Sequence, residues 1–269
     1  MTSTIDTLDG VEFEYVGKTL PAFIFVHGGF CDRDHWSAQT DGLAESHKVV
    51  TLDLPGHGKS VRVDSISVDY LAEMVLKVQQ RCAVGAAILV GHGFGCSVIV
   101  EAYNRMPSAV IGMVLIEGHP LAPTIRHSVP TSGRGGEAVR EATLRLFDSG
   151  FLPDTSSARR EQMLSHIGGI DKEFIAQLYR CLVDWQPKVP SILPRIKVPL
   201  LLLESTVLRE GLFRPSDKGE SADWTQTVER LSPNVLKYHI EGTGHFSPIK
   251  AADRVNQHLI DFASYCVRS

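Results

Sequence analysis

The stretch Val90-Gly91-His92-Gly93-Phe94-Gly95-Cys96 decides how the rest of the chain is read. It follows the apolar run Ala86-Ala87-Ile88-Leu89-Val90 and precedes Ser97-Val98-Ile99-Val100-Glu101-Ala102-Tyr103-Asn104, whose apolar positions recur at helical spacing. An apolar run, three alternate glycines and a helical pattern predict a strand, a sharp turn and a helix. The residue at the apex of that turn, Gly93, has no side chain.

Outward from this point the rhythm repeats. Runs at 22–27, 48–53, 86–91 and 113–117 are short, rich in Val, Ile and Leu, and lack polar alternation, as strands buried on both faces do. Between the second and third, Leu71, Met74, Val75 and Val78 share one helical face. Strands alternating with helices predict an α/β fold with a mostly parallel central sheet and helices on both faces. After Glu117 the rhythm breaks. Residues 120–136 are dense in Pro, Gly, Ser and Thr, three helical patterns follow at 137–149, 157–167 and 172–185, and strand patterns resume at 198–205 and 235–242 before a closing helix at 253–267. The expected organisation is a core of 1–119 and 195–269 interrupted by a helical cap at 120–194, standing over the carboxyl ends of the strands where such sheets bind ligands.

A net charge of −4 with no block of like charge argues against a nucleic-acid partner. No apolar segment reaches the roughly 20 residues of a membrane span, and the first ten residues lack the apolar centre of a signal peptide. The five cysteines are scattered and odd in number, which suits reduced thiols and a cytoplasmic protein. The expected partner is a small molecule, and the chain is expected to be a monomer or homodimer. No metal or cofactor is expected: His119 and His127 lack a third ligand at recognisable spacing. Asp53-Leu54-Pro55-Gly56-His57-Gly58-Lys59-Ser60 lacks the spacing of a phosphate loop.

Four segments carry chemistry: His27-Gly28-Gly29-Phe30, residues 53–60, Gly91 to Gly95, and Gly242-Thr243-Gly244-His245-Phe246. In this order and spacing they resemble the α/β-hydrolase superfamily over most of the chain outside the cap. The resemblance implies that Gly93 stands at the nucleophile elbow, where serine is expected, and that His245 is the general base. It implies oxyanion donors at the N–H groups of Phe94 and Gly29, with Gly28 as the fallback. The acid that orients the histidine matches Glu117, the placement found in haloalkane dehalogenases, zearalenone-lactone hydrolases and cofactor-independent dioxygenases, with Glu204 as the alternative and Glu210 behind both. His92 and Phe30 are expected at the substrate. Trp185 is read either as a cap contact to an aromatic or macrocyclic ligand or as an anchor fixing the cap to the core.

Glycine cannot form an acyl-enzyme, and Cys96 and Ser97 lie beyond the turn, on the helix. Three accounts of Gly93 stand side by side. One is a Ser-His-Glu ester or lactone hydrolase disarmed by a serine-to-glycine change, since glycine also tolerates the strained elbow. The second is a non-catalytic small-molecule-binding relative, and the third a cofactor-independent dioxygenase.

Overall fold

The computed structural model describes residues 2–118, 136–217 and 219–268. Ten strands are present among them: β1 (Thr4–Leu8), β2 (Val11–Val16), β3 (Phe23–Val26), β4 (Val49–Leu52), β5 (Ala87–His92), β6 (Val110–Ile116), β7 (Leu200–Glu204), β8 (Thr206–Arg209), β9 (Leu212–Pro215) and β10 (Val235–His239). Eight form one sheet in the order β1-β2-β4-β3-β5-β6-β7-β10. The pairs β1/β2 and β2/β4 are antiparallel and every other pair is parallel.

The unbroken apolar strands are explained by helices on both faces. Alternate strand residues Phe23, Phe25, Val90, Val114, Ile116 and Leu203 face a cluster closed by α1 (Ser37–Leu43) and by Val255, Leu259 and Phe262 of the C-terminal helix. Their neighbours Ile24, Val26, Leu89, Leu115 and Leu202 face α2 (Val68–Arg81) and α3 (Phe94–Arg105). Each such buried side chain contributes about 1.5–3 kcal/mol relative to exposure.

Between β6 and β7 run α4 (Gly136–Ser149), α5 (Ser157–Gly169) and α6 (Lys172–Trp185). They form a helical cap whose apolar stripes, including Phe147, Phe174, Leu178 and Leu182, join the core. Helices α7 (Asp223–Leu231) and α8 (Ala252–Arg268) complete the chain. The loop expected at 120–136, and with it His119 and His127, falls outside the described residues apart from Gly136. No helix among the described residues is long and apolar enough to cross a membrane.

Two hairpins go beyond the strand pattern read from sequence. Asp9-Gly10 joins β1 to β2, and Glu210-Gly211 joins β8 to β9 in a separate two-stranded sheet. In each, both turn residues have positive φ (49° and 80°; 51° and 78°), the backbone that two-residue hairpins require.

Candidate active site

Neighbouring strands β5 and β6 end alike. Gly93 follows β5 with φ 51° and ψ −115°, and Glu117 follows β6 with φ 50°. A left-handed backbone at a strand end throws the residue out of the sheet and stores strain for a side chain that carries it. The Gly93 N–H donates to Ile116 O at 2.9 Å, and its C=O accepts from Cys96 N at 3.1 Å, which locks the elbow between β6 and the first turn of α3.

The three glycines of the elbow differ in what they make room for. A Cβ on Gly91 would lie 2.6 Å from the Gly95 carbonyl carbon, and one on Gly95 would lie 2.3 Å from Val26 O. A Cβ on Gly93 meets nothing nearer than His245 Nε2 at 3.6 Å, then Gly28 Cα at 3.9 Å. Close packing therefore demands glycine at 91 and 95, and position 93 is the one of the three open to a side chain, with the His245 imidazole facing it.

His245 is held from several sides. Its N–H donates to Gly150 O at 2.9 Å, at the end of α4, and its C=O accepts from His92 Nε2 at 2.9 Å. Gly244 before it has φ 67°, and a Cβ there would sit 2.5 Å from Gly150 O. The Phe213 ring stacks on the His245 imidazole at 3.7 Å between centroids and 10° between planes. His92 lines the cavity, its Nε2–H is committed to the His245 carbonyl and its ring stacks on His35 at 4.6 Å. Burial pulls the His92 pKa down to about 4, so it is a neutral positioning group for His245.

The loop after β3 supplies the opposite wall. Leu54 N–H donates to His27 Nε2 at 3.0 Å, so the ring proton sits on Nδ1, which donates to Gly28 O at 2.7 Å. Cys31 N–H donates to the same carbonyl at 3.2 Å. With the Gly28 carbonyl drawn to that side, the trans peptide turns the Gly29 N–H the other way. A Cβ on Gly29 would come 3.5 Å from Phe94 Cβ, so the loop abuts the start of α3. The Phe94 N–H is the first of that helix and has no intrahelical acceptor. Gly28 has a different constraint: a Cβ there would press on His92 Nδ1 at 2.9 Å.

Glu117 is 1% exposed. Its carboxyl group bonds Ser205 Oγ at 2.5 Å, Thr206 Oγ1 at 2.6 Å, Thr206 N at 3.2 Å and Ser247 Oγ at 3.4 Å. Ser205 Oγ also donates to Gly244 O at 2.6 Å, which ties the acid to the residue before His245. Burial raises the Glu117 pKa to about 8, against the opposing hydrogen bonds. Glu204 points elsewhere: its carboxylate accepts from Ser221 Oγ and Ala222 N at the start of α7. Glu210, at the β8–β9 turn, is exposed beside Arg214, so of the three acid candidates Glu117 is the one whose carboxyl group is joined to the histidine loop.

The resulting cavity holds about 90 Å³. Gly28, Gly29, His92, Gly93 and His245 form its polar end, and Phe30, Phe94, Phe147, Leu178, Leu208 and Phe213 much of its apolar wall. Phe30 lines this wall, packed against Phe147 and Tyr179. Trp185 as a ligand contact is corrected. It lies outside the cavity wall, and its indole N–H donates to the buried Glu101 carboxylate of α3 at 2.8 Å, the anchoring alternative. A buried indole N–H takes the partner that satisfies it. Sequence reasoning missed Phe213, Leu208 and the three hydroxyls around Glu117. The Glu210-Gly211 turn flanked by apolar residues was the available signal for the first two.

Comparison with known proteins agrees with this fold. The alpha/beta hydrolase family model matches residues 23–258. A bifunctional esterase/perhydrolase of Acinetobacter calcoaceticus is 34% identical over 96% of this chain and 98% of its own. A dihydrolipoyllysine-residue acetyltransferase component of an acetoin cleaving system, from Pseudomonas putida, is 25% identical over 93% of this chain, which spans 65% of that relative's length. A thermophilic esterase from Thermogutta terrifontis superposes with a TM-score of 0.79 at 20% identity, covering 99% of each chain.

Proposed function

Because this chain belongs to the alpha/beta hydrolase family, we propose that its cavity is an ester-cleaving site for small, largely apolar carboxylic esters or lactones, in which position 93 is the nucleophile position and glycine there has removed the acyl-accepting side chain. The observation that carries this reading is the space at residue 93. A side chain placed there meets His245 Nε2 first, at 3.6 Å from Cβ, whereas Gly91 and Gly95 are closed by backbone.

With serine at 93, the hydroxyl attacks the carbonyl carbon as its proton passes to His245 Nε2. The N–H groups of Gly29 and Phe94 donate to the tetrahedral oxyanion. The intermediate collapses, the leaving oxygen takes the proton from the imidazolium, and water repeats the sequence to release the acid. Glu117 acts through the Ser205 bridge and the histidine loop, as the carboxylate that favours the imidazolium when ionised. A cavity of about 90 Å³ with an apolar wall suits a short acyl group better than a macrocycle. The full-length match to an esterase/perhydrolase supports ester chemistry at this site.

The test is Gly93→Ser, assayed with p-nitrophenyl acetate and small lactones. Serine is expected to raise turnover at least a hundredfold over the glycine protein, with the gain lost on His245→Ala. A serine variant that folds and shows no gain on any of these substrates would overturn the reading.

A further inference from the structure

We propose that the chain with glycine at 93 is itself a slow hydrolase, in which a water molecule occupies the place of the missing side chain and attacks the ester directly, with His245 as general base and no acyl-enzyme. The inference rests on the reading of this cavity as an ester-cleaving site and gives the chain as it stands an activity of its own.

Three observations support it. Glycine at 93 leaves open the volume bounded by His245 Nε2 and Gly28 Cα, 3.6 and 3.9 Å from where a Cβ would lie. A side chain's worth of space next to a base nitrogen admits a water within hydrogen-bond reach of it. The volume belongs to a cavity that the Gly28-Gly29 loop and Phe94 at the start of α3 also line, so the water and the groups read as oxyanion donors share one cavity. The base is also fixed without help from residue 93: its N–H and C=O are bonded to Gly150 O and by His92 Nε2, and its ring lies flat on Phe213. Removing the nucleophile's side chain therefore leaves the base in place.

The step balances without a co-reactant. The water oxygen forms a bond to the carbonyl carbon while one of its protons moves to His245 Nε2. The carbonyl π electrons go to the oxygen held by the Gly29 and Phe94 N–H groups. On collapse the C–O bond to the alcohol breaks, and the leaving oxygen takes the proton from Nε2. Carboxylic acid and alcohol are released, and the imidazole is neutral again. Because nothing is covalently held, the rate follows the leaving group's acidity throughout, and no shared deacylation step levels it.

Four proteins and a series of aryl acetates test this: the glycine protein, Gly93→Ala, Gly93→Ser and His245→Gln, each checked for native circular dichroism. The glycine protein is expected to hydrolyse the acetates faster than buffer, without a burst, with a rate that rises across the series as the leaving group becomes more acidic. The alanine methyl fills the same space and adds no nucleophile, so the rate is expected to fall at least tenfold, as it does in His245→Gln. Equal rates for the glycine and His245→Gln proteins, or an unchanged rate in Gly93→Ala, overturn the water route. Gly93→Ser separates the two levels of inference. If it is active while the glycine protein is not, the ester-site reading stands and this one falls; if both are inactive, both fall.

Discussion

Gly91, Gly93 and Gly95 show how one residue type serves opposite needs within five positions. A Cβ at 91 or 95 would lie inside the contact distance of backbone atoms that cannot yield. Gly91→Ala and Gly95→Ala are therefore expected to lower stability by about 1–3 kcal/mol or more, the usual scale of overpacking, measured by urea unfolding. Gly93→Ser meets no such clash and carries only the strain of φ 51° with ψ −115°, about 1–3 kcal/mol. Glu117 makes a separate prediction about pH. Its pKa rises from 4.5 to about 8 on burial in the fold, so the native state holds a proton that the unfolded chain releases. Stability is then greatest below pH 4.5 as far as this group is concerned, and is lost as pH rises to about 8. Thermal unfolding between pH 5 and 8 should show this loss, and Glu117→Gln should flatten it. Activity of a Gly93→Ser protein should run the other way and rise towards pH 8, because ionised Glu117 favours the imidazolium.

At the scale of elements, the hairpin β8–β9 connects groups that the strand pattern alone leaves apart. It begins at Thr206, which bonds Glu117 through both N–H and Oγ1, and it carries Phe213 onto the face of His245. The Phe213 N–H donates to Ser149 Oγ at 2.9 Å, joining the hairpin to the end of α4 in the cap. An aromatic face against an imidazole stabilises its cationic form by about 1 kcal/mol, roughly fivefold in rate. Phe213→Leu in the Gly93→Ser background is expected to lower kcat by about that factor, with little change in KM. The parallel strands were legible because burial on both faces writes apolar runs into Phe23–Val26, into Val49–Leu52 with Thr51 as its one polar residue, and into Leu200–Glu204 up to its final Glu204. The hairpins were not read because β1 and β9 are largely exposed and carry no buried apolar run. Their signal was confined to the turn pairs Asp9-Gly10 and Glu210-Gly211.

For the whole molecule, the site lies where the carboxyl ends of β3, β5 and β6 meet the cap, so its shape depends on how the cap is fixed to the core. Trp185 supplies one such tie through the carboxylate of Glu101, which is 2% exposed. Trp185→Phe removes the donor and leaves that oxygen buried, a loss of about 1–3 kcal/mol; a protease-susceptibility assay should show the cap opening first. The four segments of the core were readable because glycine and histidine at turns between strands and helices are local signals. The cavity wall was not, since Leu146, Leu178 and Leu182 read as ordinary helix interior until the cap is laid over the sheet. Trp185 and Phe213 show the same limit, because spacing marks an aromatic residue and only packing says what it touches. The central claim concerns position 93, and rapid mixing of the Gly93→Ser protein with p-nitrophenyl acetate tests it most directly. The account predicts a burst of p-nitrophenolate equal to the concentration of protein, with the acetyl group recovered on residue 93 and no burst when His245 is also replaced. A well-folded serine variant with no burst, hydrolysing no faster than the glycine protein, would contradict it.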